Sequence, residues 1–237
     1  MKKKTLAELD FKNGEVLIVN KPYEWTSFGV VKRARWLIGD YLKVRQVKIG
    51  HAGTLDPLAE GVLILCTGKK TKEIEQYQGY VKEYVAHIRF GATTPSYDLE
   101  TEIDATYATE HITPELLQAT INKFVGLQEQ TPPIFSAKKI NGKRAYKSAR
   151  KGRDIEIPNS TITIYELELL ENNMPDIKLR IVCSKGTYIR SLASDLGKTL
   201  GSGAHLAGLV RTRIGEFTLE RAYTMEEFMN LFPYRKG

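Results

Sequence analysis

Residues 50–63 read Gly50-His51-Ala52-Gly53-Thr54-Leu55-Asp56-Pro57-Leu58-Ala59-Glu60-Gly61-Val62-Leu63. Glycines on both sides of Asp56 permit unusual backbone angles. Pro57 restrains the residue before it to extended conformations. A carboxylate is thereby held on a short loop just ahead of the apolar run Val62 to Cys66, which reads as a central strand. On local sequence alone, an ordinary Asp-Pro turn is the favoured reading, and a presented catalytic carboxylate is the alternative.

Upstream, Val16-Leu17-Ile18-Val19 reads as a short buried strand stopped by Asn20-Lys21-Pro22. Ser27 is placed to cap a helix running to Gly39, with Val30, Val31, Ala34, Leu37 and Ile38 on one face. Lys32, Arg33 and Arg35 project elsewhere, and a solvated face is favoured for them over an RNA contact. Lys43 to Ile49 reads as a basic extended piece, with His51 in the loop that follows.

Downstream, Lys69 to Gln78 suits a helix. Tyr84 to Phe90 alternates as a half-buried strand ending at Gly91. Thr113-Pro114 is an N-cap followed by proline at the first helical position, opening a helix to about Val125. The densest basic stretch follows: Lys138, Lys139, Lys143, Arg144, Lys147, Arg150, Lys151 and Arg153, interleaved with Tyr146. Strands are expected over Thr161 to Leu169 and Ile177 to Cys183, then a helix from about Tyr188 to Leu200. Thr224-Met225-Glu226-Glu227 is a capping box for a short last helix. Strands and helices are interspersed without a regular βαβ period. The expected class is α+β with a mixed or largely antiparallel sheet.

Composition narrows the function classes. The chain has 237 residues, 42% hydrophobic, enough for one sizeable core. The longest apolar run is far too short to span a bilayer. The basic start Met1-Lys2-Lys3-Lys4 has no apolar segment behind it, so no secretory signal is expected and the cytoplasm is the expected location. Cys66 and Cys183 read as buried small hydrophobes. The histidines His51, His87, His111 and His205 show no metal-ligand spacing, so no metal is expected. A net charge of +7 and a pI near 9.2 are compatible with a polyanionic partner.

The whole run 50–63 resembles the signature of the TruB family of tRNA pseudouridine synthases almost letter for letter. Other stretches resemble that family's blocks in its order. They are Asn20-Lys21-Pro22, Val81-Lys82-Glu83-Tyr84, Pro132-Pro133-Ile134-Phe135-Ser136-Ala137-Lys138, and Lys185-Gly186-Thr187-Tyr188-Ile189-Arg190-Ser191-Leu192. The resemblance spans about residues 14 to 230. It implies a pseudouridine synthase catalytic core, with a mixed, mostly antiparallel sheet flanked by helices.

The activity it implies is isomerisation of uridine 55 in the T loop of tRNA, with no cofactor and no metal. Asp56 is the implied catalytic carboxylate, either attacking ribose C1′ or taking a proton from C2′. Arg190 is the implied cation beside it. For Asp98 an exposed loop acid is the default reading, and a second partner for Arg190 is the alternative. Tyr84 is the ring on which the flipped uracil stacks, and Tyr188 lines the same pocket. His51 is expected to help hold the flipped RNA loop. Lys72 and Lys21 are expected to touch RNA phosphate or the site, with a solvated lysine as the competing reading for each. Lys138, Lys139 and Arg144 are expected to belong to a basic clamp on the RNA.

Many TruB proteins carry a further C-terminal PUA-like domain. Here a single catalytic domain over 1–237 is expected, with a short extension over about 211–237 and no complete PUA domain. The expected partner is the T arm of tRNA, bound by a monomer without a membrane or protein partner. Competing readings are a tRNA folding chaperone, an RNA-guided synthase subunit, and a carbohydrate hydrolase using Asp56 and Glu60.

Overall fold

The computed structural model describes residues 3–133, 139–140, 143–144 and 158–232. The first elements are β1 (Val16–Lys21), α1 (Ser27–Leu42), β2 (Ile49–Ala52) and β3 (Ala59–Thr67). A 3-10 turn over Gly68–Glu73 leads into α2 (Ile74–Gly79), then β4 (Lys82–Phe90), β5 (Ala92–Thr93) and β6 (Ala105–Thr106). After α3 (Pro114–Lys123) come β7 (Gly126–Gln130), β8 (Lys139–Ile140) and β9 (Lys143–Arg144). The chain closes with β10 (Ser160–Asn173), β11 (Asp176–Cys183), α4 (Ile189–Thr199), β12 (Ala204–Ile214), β13 (Phe217–Thr218) and α5 (Met225–Asn230).

These elements divide into two compact units, Met1–Glu83 with Val210–Gly237, and Tyr84–Leu209. In the first unit the strand order is β1-β3-β12, with β2 on β3 and β13 on β12. In the second it is β12-β4-β11-β10-β7. The β1–β3, β2–β3, β7–β10 and β10–β11 ladders are antiparallel. Val19–Tyr223 and Asp98–Leu206 add isolated parallel bridges. The class is α+β with a mixed, mostly antiparallel sheet.

In the first unit, β3 is covered on both faces, which is why Val62 to Cys66 is apolar without a break. Leu63 and Leu65 pack with Leu17 and Val19 against the α1 residues Val30, Val31, Ala34, Leu37 and Ile38. Val62, Ile64 and Cys66 face the other way, toward Ile18, Tyr77, Ile214 and Phe217. Burying each such aliphatic side chain contributes about 1.5–3 kcal/mol. The Cys66 thiol lies in this layer; burial, then the Glu73 charge, pushes its pKa up to about 12, as for an inert core cysteine.

In the second unit, Tyr84, Ala86, Ile88 and Phe90 of β4 are buried while the residues between them are not. The strand alternation read from sequence holds here. So does the stripe on α4, where Ile189, Leu192, Ala193 and Leu196 are buried and Leu200 closes the helix. The caps at Thr113 and Thr224 form as expected, the latter as a full capping box. No helix among the described residues is long and apolar enough to cross a membrane.

Several expectations change. Thr26, not Ser27, caps α1, its hydroxyl accepting from the Gly29 amide at 2.9 Å. The helix runs beyond Gly39 to Leu42, and Lys43 ends it in the left-handed conformation. His51 lies within β2, paired with Leu65, rather than in the loop. The segment after β3 is a 3-10 turn followed by a short α-helix rather than one helix. Strands β7 and β12 had no counterpart in the sequence reading. In β12, Arg211, Thr212 and Arg213 interrupt the apolar pattern and hide the strand.

Candidate active site

Asp56 stands at the first position of a turn that enters β3. Its carbonyl accepts from the Ala59 amide at 3.1 Å, and Pro57 takes the next position, where its fixed φ suits a turn. Both local readings of the Asp-Pro pair therefore coexist: it is a turn, and it holds the carboxylate-bearing residue in place.

The surrounding loop is gripped by three buried side chains from elsewhere in the first unit. Ser27, 2% exposed, lies at the start of α1. Its hydroxyl accepts from the Leu55 amide at 2.9 Å and donates to the Leu55 carbonyl at 3.0 Å. Lys21, 0% exposed, ends β1 and donates from Nζ to the carbonyls of Pro57 at 3.1 Å, Pro22 at 2.9 Å and Trp25. Arg211, 1% exposed, donates from Nη2 to Gly53 at 3.0 Å, from Nη1 to Thr54 at 3.5 Å and from Nε to Val62 at 2.8 Å. Each carbonyl from Gly53 to Pro57 thus accepts a hydrogen bond. A loop whose carbonyls are satisfied can be partly buried without the cost of orphaned acceptors.

The two cations reach the loop because of strand register. Lys21 pairs with Gly61 across β1 and β3. On its other side Gly61 lies against Arg211, where an added Cβ would fall 2.2 Å from the Arg211 carbonyl oxygen. Its φ of +108° is a second reason that only glycine fits. Lysine, glycine and arginine thus form one row, with the residue lacking a side chain in the middle.

The electrostatics follow from burial. Loss of water lowers the Lys21 pKa to about 8; Glu60 and then Asp56 work against that shift, and Arg211 adds to it. Lys21 thus feels both carboxylates and the arginine. His51 has its pKa lowered, first by burial and then by the Arg211 charge, so its ring is neutral at pH 7. Its Nδ1 is buried with no hydrogen-bond partner among the described residues.

In the second unit, Arg190 and Asp98 form a buried ion pair at 3.6 Å, their side chains 4% and 5% exposed. The pairing raised from sequence is present. Arg190 also donates from Nη1 to the Ser96 carbonyl at 3.3 Å. The Asp98 loop binds itself: Thr94 and Ser96 hydroxyls donate to the Asp98 carbonyl at 2.6 and 3.1 Å. The Asp98 carboxylate in turn accepts from the Glu100 amide at 3.0 Å. Tyr188 caps α4, and the Gln130 side chain holds its backbone at both ends, at 2.8 and 3.0 Å. Tyr84 is 8% exposed on β4.

The sequence-predicted residues therefore fall in two sets. Asp56, His51 and Lys21 belong to the first unit, Tyr84, Tyr188 and Arg190 to the second. For Lys21 the phosphate and solvated readings require correction: its ammonium is turned inward onto three carbonyls, one of them Pro57 beside Asp56. Lys72 is exposed on the 3-10 turn. Arg33 stacks on Trp36 at 4.9 Å, and Arg35 donates to the Ile49 carbonyl, so only Lys32 of that trio is fully exposed. Lys139 and Arg144 pair backbone to backbone in the short β8–β9 hairpin. Lys138 lies outside the described residues. Sequence reading missed Arg211, Gln130 and the clamping role of Ser27. Only Arg211 left a trace, as an arginine within the run Leu206 to Ile214.

Comparison with known proteins places this geometry in a family. The profile of the TruB family pseudouridylate synthase (N terminal domain) matches residues 41–189. That of the tRNA pseudouridylate synthase B C-terminal domain matches residues 190–236. The tRNA pseudouridine synthase B of Phocaeicola vulgatus is 59% identical, over 93% of this chain and 94% of its own length. That of Flavobacterium johnsoniae is 50% identical, over 92% and 96%. Among solved structures, a chain in an H/ACA RNP bound to a substrate RNA containing 2'-deoxyuridine superposes with a TM-score of 0.66 at 27% identity. That match covers 93% of this chain and 53% of the other, so this chain spans about half the length of that one. With more than half its length matched by the family profile and relatives of such identity, this chain belongs to the TruB family of pseudouridylate synthases.

Proposed function

We propose that this protein isomerises uridine to pseudouridine in tRNA, at position 55 of the T loop, with Asp56 as the catalytic carboxylate. The observation that carries the reading is the loop around Asp56, whose carbonyls from Gly53 to Pro57 are each hydrogen-bonded, four of them to buried side chains at Ser27, Lys21 and Arg211. Rigid presentation of one acid is what a reaction at a single sugar carbon requires.

The chemistry balances without a second reactant. The N1–C1′ bond breaks, the uracil turns, C5 bonds to C1′, and the C5 proton is lost while N1 gains one. Asp56 assists either by attack on C1′ or by removing a C2′ proton. No cofactor enters. The substrate base must leave its stack, at a cost of a few kcal/mol. Tyr84 offers the flipped uracil an aromatic face, and Tyr188 lines the pocket. Arg190 is the cation that the family resemblance implies for this chemistry. His51 holds the flipped loop as a neutral ring. Lys72, Lys138, Lys139 and Arg144 contact RNA phosphate, as expected of recognition by shape and backbone. The protein acts in the cytoplasm as a monomer on the T arm.

The test is a pseudouridine assay on unmodified tRNA transcript, comparing wild type with Asp56→Asn and mapping the modified position by mass spectrometry. Conversion of one T-loop uridine by wild type, with a loss of at least about a thousandfold in the variant and tRNA binding retained, is expected. Binding without conversion by wild type would favour a tRNA chaperone instead.

A further inference from the structure

The geometry points to Arg211 as a positioning residue for the Asp56 loop: its guanidinium, held against β3, fixes the backbone immediately before the catalytic carboxylate. The inference rests on the reading of Asp56 given above.

Three observations carry it. First, Arg211 is 1% exposed, and among the described residues its hydrogen bonds all go to main-chain carbonyls, at Val62, Gly53 and Thr54. It makes no ion pair within 4 Å among those residues. A buried cation without a contacting carboxylate is expensive, and an apolar residue would pack this strand position at less cost. Second, the acceptors lie on two segments, one on β3 and one two to three residues before Asp56. A planar guanidinium offers donors in a fixed fork, so one side chain locks the two segments at a set separation. Third, the main chain at Arg211 presses on Gly61, where a Cβ would come within 2.2 Å of its carbonyl oxygen and 2.7 Å of its amide nitrogen. The root of the side chain is therefore as firmly placed as its tip.

Ser27 and Lys21 hold Leu55 and Pro57, the residues either side of Asp56. Arg211 supplies the remaining restraint, on Gly53 and Thr54. Gly53 has φ +91° and no side chain of its own to anchor it. The Arg211 charge also lowers the pKa values of Lys21 and His51. A neutral replacement should therefore raise the His51 titration midpoint, a shift readable by NMR.

The decisive variant is Arg211→Lys, which keeps the charge but cannot span both segments. Arg213→Lys, two residues along the same strand and bonded to Glu83 and Gly215, serves as the control. Single-turnover conversion of tRNA should fall about 10- to 100-fold in Arg211→Lys, since displacement of a reacting group by about 1 Å costs that much. The Kd for tRNA should stay at the wild-type value, and Arg213→Lys should match wild type in both. Hydrogen exchange should quicken at the Leu55 and Ala59 amides while α1 and β3 keep their protection. Unchanged loop exchange, or a wild-type single-turnover rate despite a lowered melting temperature, would make Arg211 a structural brace and overturn the inference. Wild type that converts no uridine would overturn the proposed function instead, and loop exchange would still report whether Arg211 holds the loop.

Discussion

The Asp56 loop and the Asp98 loop each hold an aspartate, by opposite means. The Asp98 loop is tied largely by its own short polar side chains, Thr94, Ser96, Asp98 and Thr101, which bond within a few residues of themselves. Its carboxylate is part of the scaffold, facing buried Arg190 at 3.6 Å. The Asp56 loop is tied from outside, by Ser27, Lys21 and Arg211, distant from it in the chain. Those bonds end on main-chain carbonyls and one amide. A carboxylate that serves as scaffold is expensive to remove, whereas a loop gripped by its backbone keeps that grip when a side chain on it changes.

The sharpest way to break this contrast is to remove each acid in turn and measure stability. Asp98→Ala removes one partner of a buried ion pair and should cost about 3 kcal/mol in urea denaturation. Asp56→Ala leaves the main-chain bonds of its loop in place, so its cost reads what the carboxylate itself contributes. Equal losses would mean that Asp56 is scaffold too. The next effect concerns the outside grip. Ser27→Ala strands a buried amide and a buried carbonyl at Leu55, for a loss of about 2 kcal/mol. Faster exchange confined to the Leu55 amide would accompany it, and an unaltered denaturation midpoint would show that water replaces the hydroxyl.

The effect smallest per step is a pH dependence from Lys21, spread over more than two pH units. Its folded pKa of about 8 lies below the ordinary 10.5. Between those values the unfolded chain holds a proton that the folded chain has released. Stability from this residue therefore rises with pH across that window, by at most about 1.4 kcal/mol per pH unit. It is at its lowest below pH 8, where the buried ammonium is charged. Comparing wild type with Lys21→Met at about pH 8 and pH 10 should show a rise in wild type that the variant lacks. Parallel curves would place the titration elsewhere.

Much of this protein was legible in its sequence because the relevant chemistry is local. The caps at Thr113 and Thr224, the alternation on β4, the stripe on α4 and the doubly buried β3 each show in residues a few positions apart. The Asp-Pro turn and the resemblance of residues 50–63 to a known family are likewise continuous stretches of chain. For Asp98 an exposed loop acid was the default expectation and pairing with Arg190 the alternative, since no spacing rule links residues so far apart. Strand β12 escaped because its polar residues break the two-residue period, and the burial of Lys21 was not foreseen because lysine is ordinarily a surface residue. The sequence by itself determined the class of fold, most of the helices and strands, and the loop that bears Asp56. Only the tertiary structure decided what holds that loop, because the register of β1, β3 and β12 puts two cations beside Gly61. Where a long buried side chain finds its carbonyl depends on strands that meet across the whole chain, and no local pattern encodes that meeting.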